Sequence, residues 1–331
     1  MPDIFISTAP FGEADYKPIE LLKATGWNFK LNPYERKLTP EEVSEMAQHC
    51  DGLIAGTENI EIVLRKAKKL KIISRVGIGL DSVPLQMCRD KGIVVTYTPD
   101  AVTMAVAELA MGIMITLTRH VGYADRQIRK GNWKRIQGKR IGKSVVGIIG
   151  FGRIGFNLAK LLVPFHPEEV LVNDILDKSE DIELLKKQGL NIRTSEKDEI
   201  YKKADIVSLH VPLTPITKGM INEETFNQFK KEAFILNLAR GGIICEDDLI
   251  SALKRNTIAG AAIDCFEEEP YQGPLSEFDN VLLTQHMGSC SFDCRAAMEI
   301  EATKDLIRFF KNEPLENIVP YDEYIFPPTE K

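Results

Sequence analysis

A surplus of positive charge, a C-x-x-C pair and a long unbroken apolar run are all missing from this chain of 331 residues. Lys and Arg number 42 against 48 Asp and Glu, a net charge of −6. Nothing electrostatic therefore points to nucleic acid or an anionic membrane as partner. The six cysteines (Cys50, Cys88, Cys245, Cys265, Cys290 and Cys294) include no C-x-x-C and no local His/Cys cluster, which points to reduced thiols in an intracellular protein. Cys290 and Cys294 have the spacing to face one another on a helix, but a metal site needs further ligands that nothing nearby supplies, and no metal is expected. The most apolar stretch, residues 101–117, is interrupted by Glu108 and several threonines and reads as a buried helix before a membrane span. The opening Met1-Pro2-Asp3-Ile4-Phe5-Ile6 begins as a strand and lacks the basic and long apolar regions of a signal peptide. A cytoplasmic protein is expected, of a length that suits two domains.

What is present is more specific. Gly150-Phe151-Gly152-Arg153-Ile154-Gly155 follows the apolar run Ser144–Ile149, and Asp174 arrives nineteen residues after Gly155, closing a second apolar run, Val170-Leu171-Val172-Asn173. A strand reads into the glycines, a helix carrying Ile154, Leu158, Leu161 and Leu162 reads out of them, and an acid ends the next strand. That context marks a dinucleotide site. Gly150 permits the tight turn, Gly152 lets backbone approach a pyrophosphate at the helix N-terminus, and Gly155 lets that helix pack close on its strand. Asp174 would accept hydrogen bonds from a ribose and repel a 2′-phosphate, so the expected cofactor is NAD rather than NADP.

Short apolar runs alternate with helix-sized intervals along almost the whole chain. Strands are expected at Ile4–Ile6, Leu53–Ala55, Ile72–Ser74 and Val94–Thr96, and in a second series at Val170–Val172, Ile206–Leu209, Phe234–Leu236, Ala259–Ile263 and Val281–Leu283. Thr39-Pro40-Glu41-Glu42 supplies an N-cap, a proline at the first helical position and a capping-box glutamate. The implied class is α/β, two doubly wound parallel-sheet (Rossmann/flavodoxin-like) lobes with an active-site cleft between them. Residues 1–99 would form a substrate domain, 100–289 the NAD-binding domain, and 290–331 a C-terminal helix and tail returning to the first lobe. The tail from Asn312 is expected to be loosely held.

Ligands of such sheets bind at the carboxyl ends of the strands. Three of those ends carry chemistry. Arg240, with Gly241 and Gly242, follows Phe234–Ala239 and could grip a carboxylate by two parallel hydrogen bonds. Asp264 and then Glu267-Glu268-Glu269-Pro270 follow Ala261–Ile263. His286, the side chain best matched to proton exchange near neutral pH, follows Val281–Gln285 and precedes Met287-Gly288-Ser289.

Several separated motifs then resemble one family: Ser74-Arg75-Val76-Gly77-Ile78-Gly79-Leu80-Asp81, Ala107-Glu108-Leu109, the glycine fingerprint, His210-Val211-Pro212-Leu213-Thr214-Pro215, Asn237–Gly242, Asp264–Pro270 and His286–Ser289. Between about residues 50 and 310 the chain resembles the D-isomer-specific 2-hydroxyacid dehydrogenases. The resemblance implies Arg240 as the ligand of substrate carboxylate and carbonyl, His286 as general acid/base and Glu269 as the carboxylate that orients the histidine and stabilises its charged form. It implies that backbone N–H groups of Val76, Gly77 and Ile78 hold the substrate carboxylate, with Ile78 also near the nicotinamide. Cofactor contacts are implied for Gly150, Gly152, Arg153, Ile154, Gly155, Asp174, Val211, Pro212, Leu238, Ala239, Arg240, Asp264, His286, Gly288 and Ser289.

Arg75 and Arg135 resemble positions in 3-phosphoglycerate dehydrogenases whose arginines neutralise a substrate phosphate, which implies a short member of that group. Three departures bear on the substrate: Ala55-Gly56-Thr57-Glu58 stands where many such members have another arginine, Gln285 replaces a usual proline, and Met287 a branched residue. The chain ends without the regulatory domains of longer phosphoglycerate dehydrogenases, so serine feedback is not expected. Reduction of hydroxypyruvate, glyoxylate or another 2-keto acid stays open, as does a non-catalytic NADH-sensing scaffold or corepressor. A homodimer is expected, with the apolar face of the helix over 101–117 suited to its interface.

Overall fold

Runs of Val, Ile, Leu and Ala bounded by Gly, Asp and Lys form short parallel strands, most of them buried on both faces, and the intervals between them form the covering helices. The computed structural model describes residues 1–321 and 323. The chain divides into two units: residues 1–102 together with the described residues from Ser289 onward, and Thr103–Gly288.

The first unit runs β1 (Asp3–Ile6), α1 (Lys17–Thr25), β2 (Asn28–Leu31), α2 (Pro40–Ala47), β3 (Gly52–Ala55), α3 (Glu61–Lys66), β4 (Ile72–Arg75), α4 (Leu85–Asp90) and β5 (Val94–Thr96). Its five parallel strands lie in the order β2-β1-β3-β4-β5. Central β3 and β4 are buried throughout, whereas edge strand β2 leaves Asn28, Lys30 and Leu31 in solvent. With no apolar run to mark it, β2 escapes the sequence reading. At α2 the Thr39 hydroxyl accepts from the Glu42 N–H at 3.3 Å and the Glu42 carboxylate accepts from the Thr39 N–H at 2.9 Å, closing the capping box.

After the second unit, the last long helix packs back on α1, β3 and β4 of the first unit; Phe292–Lys311 is α12 once the intervening elements are counted. Beyond it the described residues are held in place. Tyr97 donates to the Asn317 carbonyl and Val319 to the Val95 carbonyl, both at 3.0 Å. The buried Asp305 carboxylate accepts from Glu316 and Asn317 N–H at 3.0 and 2.9 Å. The tail thus covers the open edge of β5 through Val319, which corrects the expected looseness from Asn312 by supplying both backbone and side-chain partners. The rest of that expectation, at 322 and 324–331, lies outside the described residues.

The second unit runs α5 (Thr103–Thr118), α6 (Val121–Arg129), β6 (Val145–Ile149), α7 (Arg153–Leu162), β7 (Glu169–Asn173), α8 (Ser179–Lys187), β8 (Ile192–Thr194), α9 (Lys197–Lys203), β9 (Ile206–Leu209), α10 (Glu223–Phe226), β10 (Phe234–Asn237), α11 (Glu246–Lys254), β11 (Gly260–Ile263) and β12 (Val281–Leu283). Seven parallel strands take the order β12-β11-β10-β9-β6-β7-β8. The strand order reverses between β6 and β9, and a doubly wound sheet opens its ligand crevice at such a switch point. Val106, Ala107, Ala110, Ile113 and Met114 of α5 are buried in this unit, where the helix packs on α7, β10 and β11. The apolar face expected to suit a dimer interface is therefore largely used within the unit. Among the described residues no single helix is long and apolar enough to cross a membrane; α5 and α6 pass that test only as a pair bent by 61°.

Candidate active site

The glycine loop leaves β6 at the switch point. Gly150 takes φ +93°, in the left-handed region that only glycine occupies cheaply. A Cβ at Gly155 would collide with the Gly150 carbonyl oxygen, so the close packing of α7 on the turn requires glycine there. Gly152 is different: open space surrounds it, and it is the N-cap of α7 with no side-chain cap on the first-turn N–H groups. An uncapped helix N-terminus with clear approach suits an anion such as a pyrophosphate. Asp174 lies just past β7, its carboxylate accepting from the Phe151 N–H at 2.6 Å and the Leu176 N–H at 2.9 Å. The acid is thereby fixed against the glycine loop. Arg153 is exposed, Ile154 and Val211 are half-buried, and Pro212 is exposed where the chain leaves β9.

At the end of β10 the buried Asn237 side chain closes a turn, accepting from the Ala239 N–H at 3.1 Å and donating to the Arg240 carbonyl at 2.7 Å. Leu238 is buried, while Ala239 and Arg240 are half-buried. One Arg240 guanidinium nitrogen donates to the Ala239 carbonyl at 2.7 Å. Gly241 sits where a Cβ would strike the Phe266 carbonyl, so the Arg240 turn lies against the turn after β11.

That second turn carries Asp264, which is 1 % exposed. Its Oδ1 accepts from the Thr284 hydroxyl at 2.6 Å and the Met287 N–H at 2.8 Å, and its Oδ2 from the Gly288 N–H at 3.0 Å. The three bonds hold the 284–288 turn in which His286 adopts φ +49°. A left-handed histidine is uncommon and persists where its surroundings over-determine it. The His286 Nδ1 lies 2.9 and 3.0 Å from the two Glu269 carboxylate oxygens. Because an ionised carboxylate only accepts, Nδ1 donates, and a neutral imidazole then carries its lone pair on Nε2. Glu269 also accepts from the Phe266 N–H at 3.2 Å. This arrangement can hold a base whose second nitrogen is available for proton transfer.

In the first unit the Val76 N–H donates to the Ala55 carbonyl at 2.8 Å and the Gly77 N–H to the Thr98 hydroxyl at 2.8 Å. Arg75 is 5 % exposed, and its guanidinium donates to the carbonyls of Gly79, at 3.0 Å, and Val76. Ile78 and Ser289 are half-buried, and Arg135 lies in a run from Gly131 to Arg140 that is exposed throughout. Sequence reasoning quotes Asn237 only as part of a motif and misses Thr284, the side chains that shape two of the second unit's strand-end turns. Asn237 carries a signal, an Asn that ends a strand and heads a turn; Thr284 owes its position to pairing between β11 and β12.

Residues 111–288 match the family described as D-isomer specific 2-hydroxyacid dehydrogenase, NAD binding domain. The chain belongs to this family. It is 36 % identical over 287 residues to a D-3-phosphoglycerate dehydrogenase of Methanocaldococcus jannaschii, covering 85 % of this chain and 54 % of that protein, so it spans about half the length of that relative. It is 37 % identical over 283 residues to a glyoxylate reductase of Thermofilum pendens, covering 82 % of each. Among solved structures, the D-lactate dehydrogenase of Aquifex aeolicus complexed with NAD and lactic acid superposes with a TM-score of 0.83 at 25 % identity, over 96 % of this chain and 98 % of that one. As a member of the family, the chain is an oxidoreductase of the CH–OH group that uses a nicotinamide dinucleotide, interconverting 2-hydroxy and 2-keto acids.

Proposed function

We propose that the chain is an NAD-dependent D-2-hydroxyacid dehydrogenase with His286 as general acid/base. The observation that carries this reading is the His286–Glu269 pair at 2.9 Å, set past the carboxyl end of β12 in the sheet whose switch point holds the glycine loop. The α7 N-terminus, Gly152 and Asp174 would hold NAD, which would supply the hydride acceptor for oxidation and, reduced, the donor for the reverse. In oxidation His286 takes the substrate hydroxyl proton on Nε2, and the resulting imidazolium is stabilised by Glu269; in reduction it returns the proton. Arg240 grips the substrate carboxylate and polarises the carbonyl. In the first unit, the N–H groups of Val76 and Gly77 already have protein acceptors, so we assign carboxylate binding in that loop to Ile78 and Gly79.

For the substrate, 3-phosphoglycerate and its keto acid come first. The Methanocaldococcus relative, the presence of Arg75 in the sequence and the exposed cation Arg135 support that choice. Glyoxylate or hydroxypyruvate reduction is the second reading, favoured by the inward, carbonyl-bound guanidinium of Arg75. A panel of 3-phosphohydroxypyruvate, hydroxypyruvate, glyoxylate and pyruvate with NADH tests both. Phosphohydroxypyruvate should give the highest kcat/KM, and Arg75→Ala and Arg135→Ala should erase that advantage. Equal slowing of every acid removes both arginines from phosphate recognition. No turnover of any acid, with tight NADH binding, would favour the scaffold reading. NADPH rivalling NADH would contradict the role of Asp174. We further propose a cytoplasmic homodimer: α6 buries none of its nine residues, and Trp133 is 83 % exposed beside it in sequence.

A further inference from the structure

The expectation of no metal rested on ligands adjacent in sequence, and folding of the second unit supplies a different set. Cys265 follows Asp264 on the turn after β11, Glu269 lies four residues on, and His286 arrives from β12. One ligand atom from each, the Cys265 thiol, a Glu269 oxygen and a His286 ring nitrogen, lie within 4.8 Å of one another. The thiol is the floor of the group, 2 % exposed, while the Glu269 and His286 side chains keep 26 % and 32 % of their surface in solvent. An ion entering past the acid and the imidazole would thus reach the sulfur last.

Thiolate, imidazole and carboxylate together form a borderline-soft donor set, which selects Zn²⁺ or Cd²⁺ over Mg²⁺ or Ca²⁺. Ligand atoms of tetrahedral zinc stand roughly 3.4–3.6 Å apart, so the acid and imidazole, now 2.9 Å apart, need to open by about half an ångström and the thiol, within 4.8 Å of both, to close by up to about 1 Å, within the reach of side-chain rotation. We propose that Cys265, Glu269 and His286 form a site for Zn²⁺ or Cd²⁺, with water as fourth ligand, and that its occupation stops turnover. One proton leaves to solvent as the ion binds, that of the Cys265 thiol, while the proton on Nδ1 of His286 is exchanged to Nε2 so that the neutral ring coordinates through Nδ1. The metal takes the place of the proton shared between histidine and glutamate, and the ring loses its capacity to cycle between imidazole and imidazolium. The inhibitory half rests on the acid/base role proposed for His286; the binding half does not.

Metal-stripped protein titrated with Cd²⁺ should develop a thiolate-to-metal charge-transfer band in the near ultraviolet, saturating at one ion per chain, and Zn²⁺ should compete it away. Cys265→Val, close in volume, should lose the band and weaken Zn²⁺ binding at least about 100-fold, more than loss of an outer-shell partner costs. Its activity without metal should stay near wild type and resist Zn²⁺ concentrations that silence the parent. Cys265→Ser serves the same purpose should the valine variant misfold. A band that survives in either variant, or no Zn²⁺ binding to wild type, overturns the site. Cys265-dependent binding that leaves the rate untouched would keep the site and instead remove His286 from the chemistry.

Discussion

Replacing Asp264 with asparagine tests how the left-handed histidine is held. The carboxylate is buried and accepts three bonds, two on Oδ1 and one on Oδ2. An amide keeps the shape but turns one acceptor into a donor. With nitrogen at the Oδ1 position it faces the Met287 N–H; flipped, it faces the Gly288 N–H. The Thr284 hydroxyl can reverse its role, but neither backbone donor can. One charge-assisted bond, about 1.5–3 kcal/mol, is therefore lost in either orientation, and one buried N–H is left opposite another donor at about 1–3 kcal/mol. Because the two costs overlap, the expected loss is about 3 kcal/mol, equivalent to roughly 6–12 °C in Tm for a unit the size of Thr103–Gly288. With the 284–288 turn loosened, His286 leaves its proton-transfer geometry, and kcat should fall about 100-fold. Urea unfolding followed by circular dichroism and NADH oxidation with a 2-keto acid read the two effects separately. A variant as stable as wild type, changed only in its KM for NADH, would refute this reasoning and restrict Asp264 to the cofactor contact.

Three further outcomes are expected. Glu269→Gln should lower kcat about 100-fold with little change in NADH affinity, because the imidazolium loses its anionic partner; a kcat within threefold of the parent would separate Glu269 from the histidine's function. Gly155→Ala should cost at least about 2 kcal/mol, since backbone rather than a flexible side chain meets the new methyl, and should weaken NADH binding; thermal unfolding and fluorescence titration measure both, and an unchanged Tm would show that α7 can move away. Burial lowers the His210 imidazole to about 4, with its Nε2 2.8 Å from the Ser208 hydroxyl. The unfolded chain then binds one more proton between pH about 6.5 and 4, so stability present at neutral pH drops by about 3 kcal/mol as pH falls through that window. Urea midpoints for wild type and His210→Gln at several pH values check this, and parallel pH profiles would rule it out.

Strands that run through the sheet interiors were readable because burial on both faces demands uninterrupted apolar residues, as in Ile206–Leu209 and Phe234–Leu236. The edge strands Asn28–Leu31 and Ile192–Thr194 were not, because an edge pairs its backbone on one side only and tolerates polar side chains. The tail was misread for a related reason: a stretch rich in Pro and acids looks unpartnered until Asp305 is seen to accept from the Glu316 and Asn317 N–H groups and Val95 of β5 from that of Val319.

Local rules act over a few residues, so the chain's pattern of apolar runs and glycines determined by itself an α/β fold of parallel sheets and a dinucleotide loop between β6 and α7. Bringing Glu269 to His286, seventeen residues apart, and tying Asp264 to Met287 and Gly288 depend on β11 and β12 lying side by side in register, Ala261 against Val281 and Ile263 against Leu283. Strand pairing of that kind is a property of the whole sheet, and only the tertiary structure decided that Cys265 would join the acid and the imidazole.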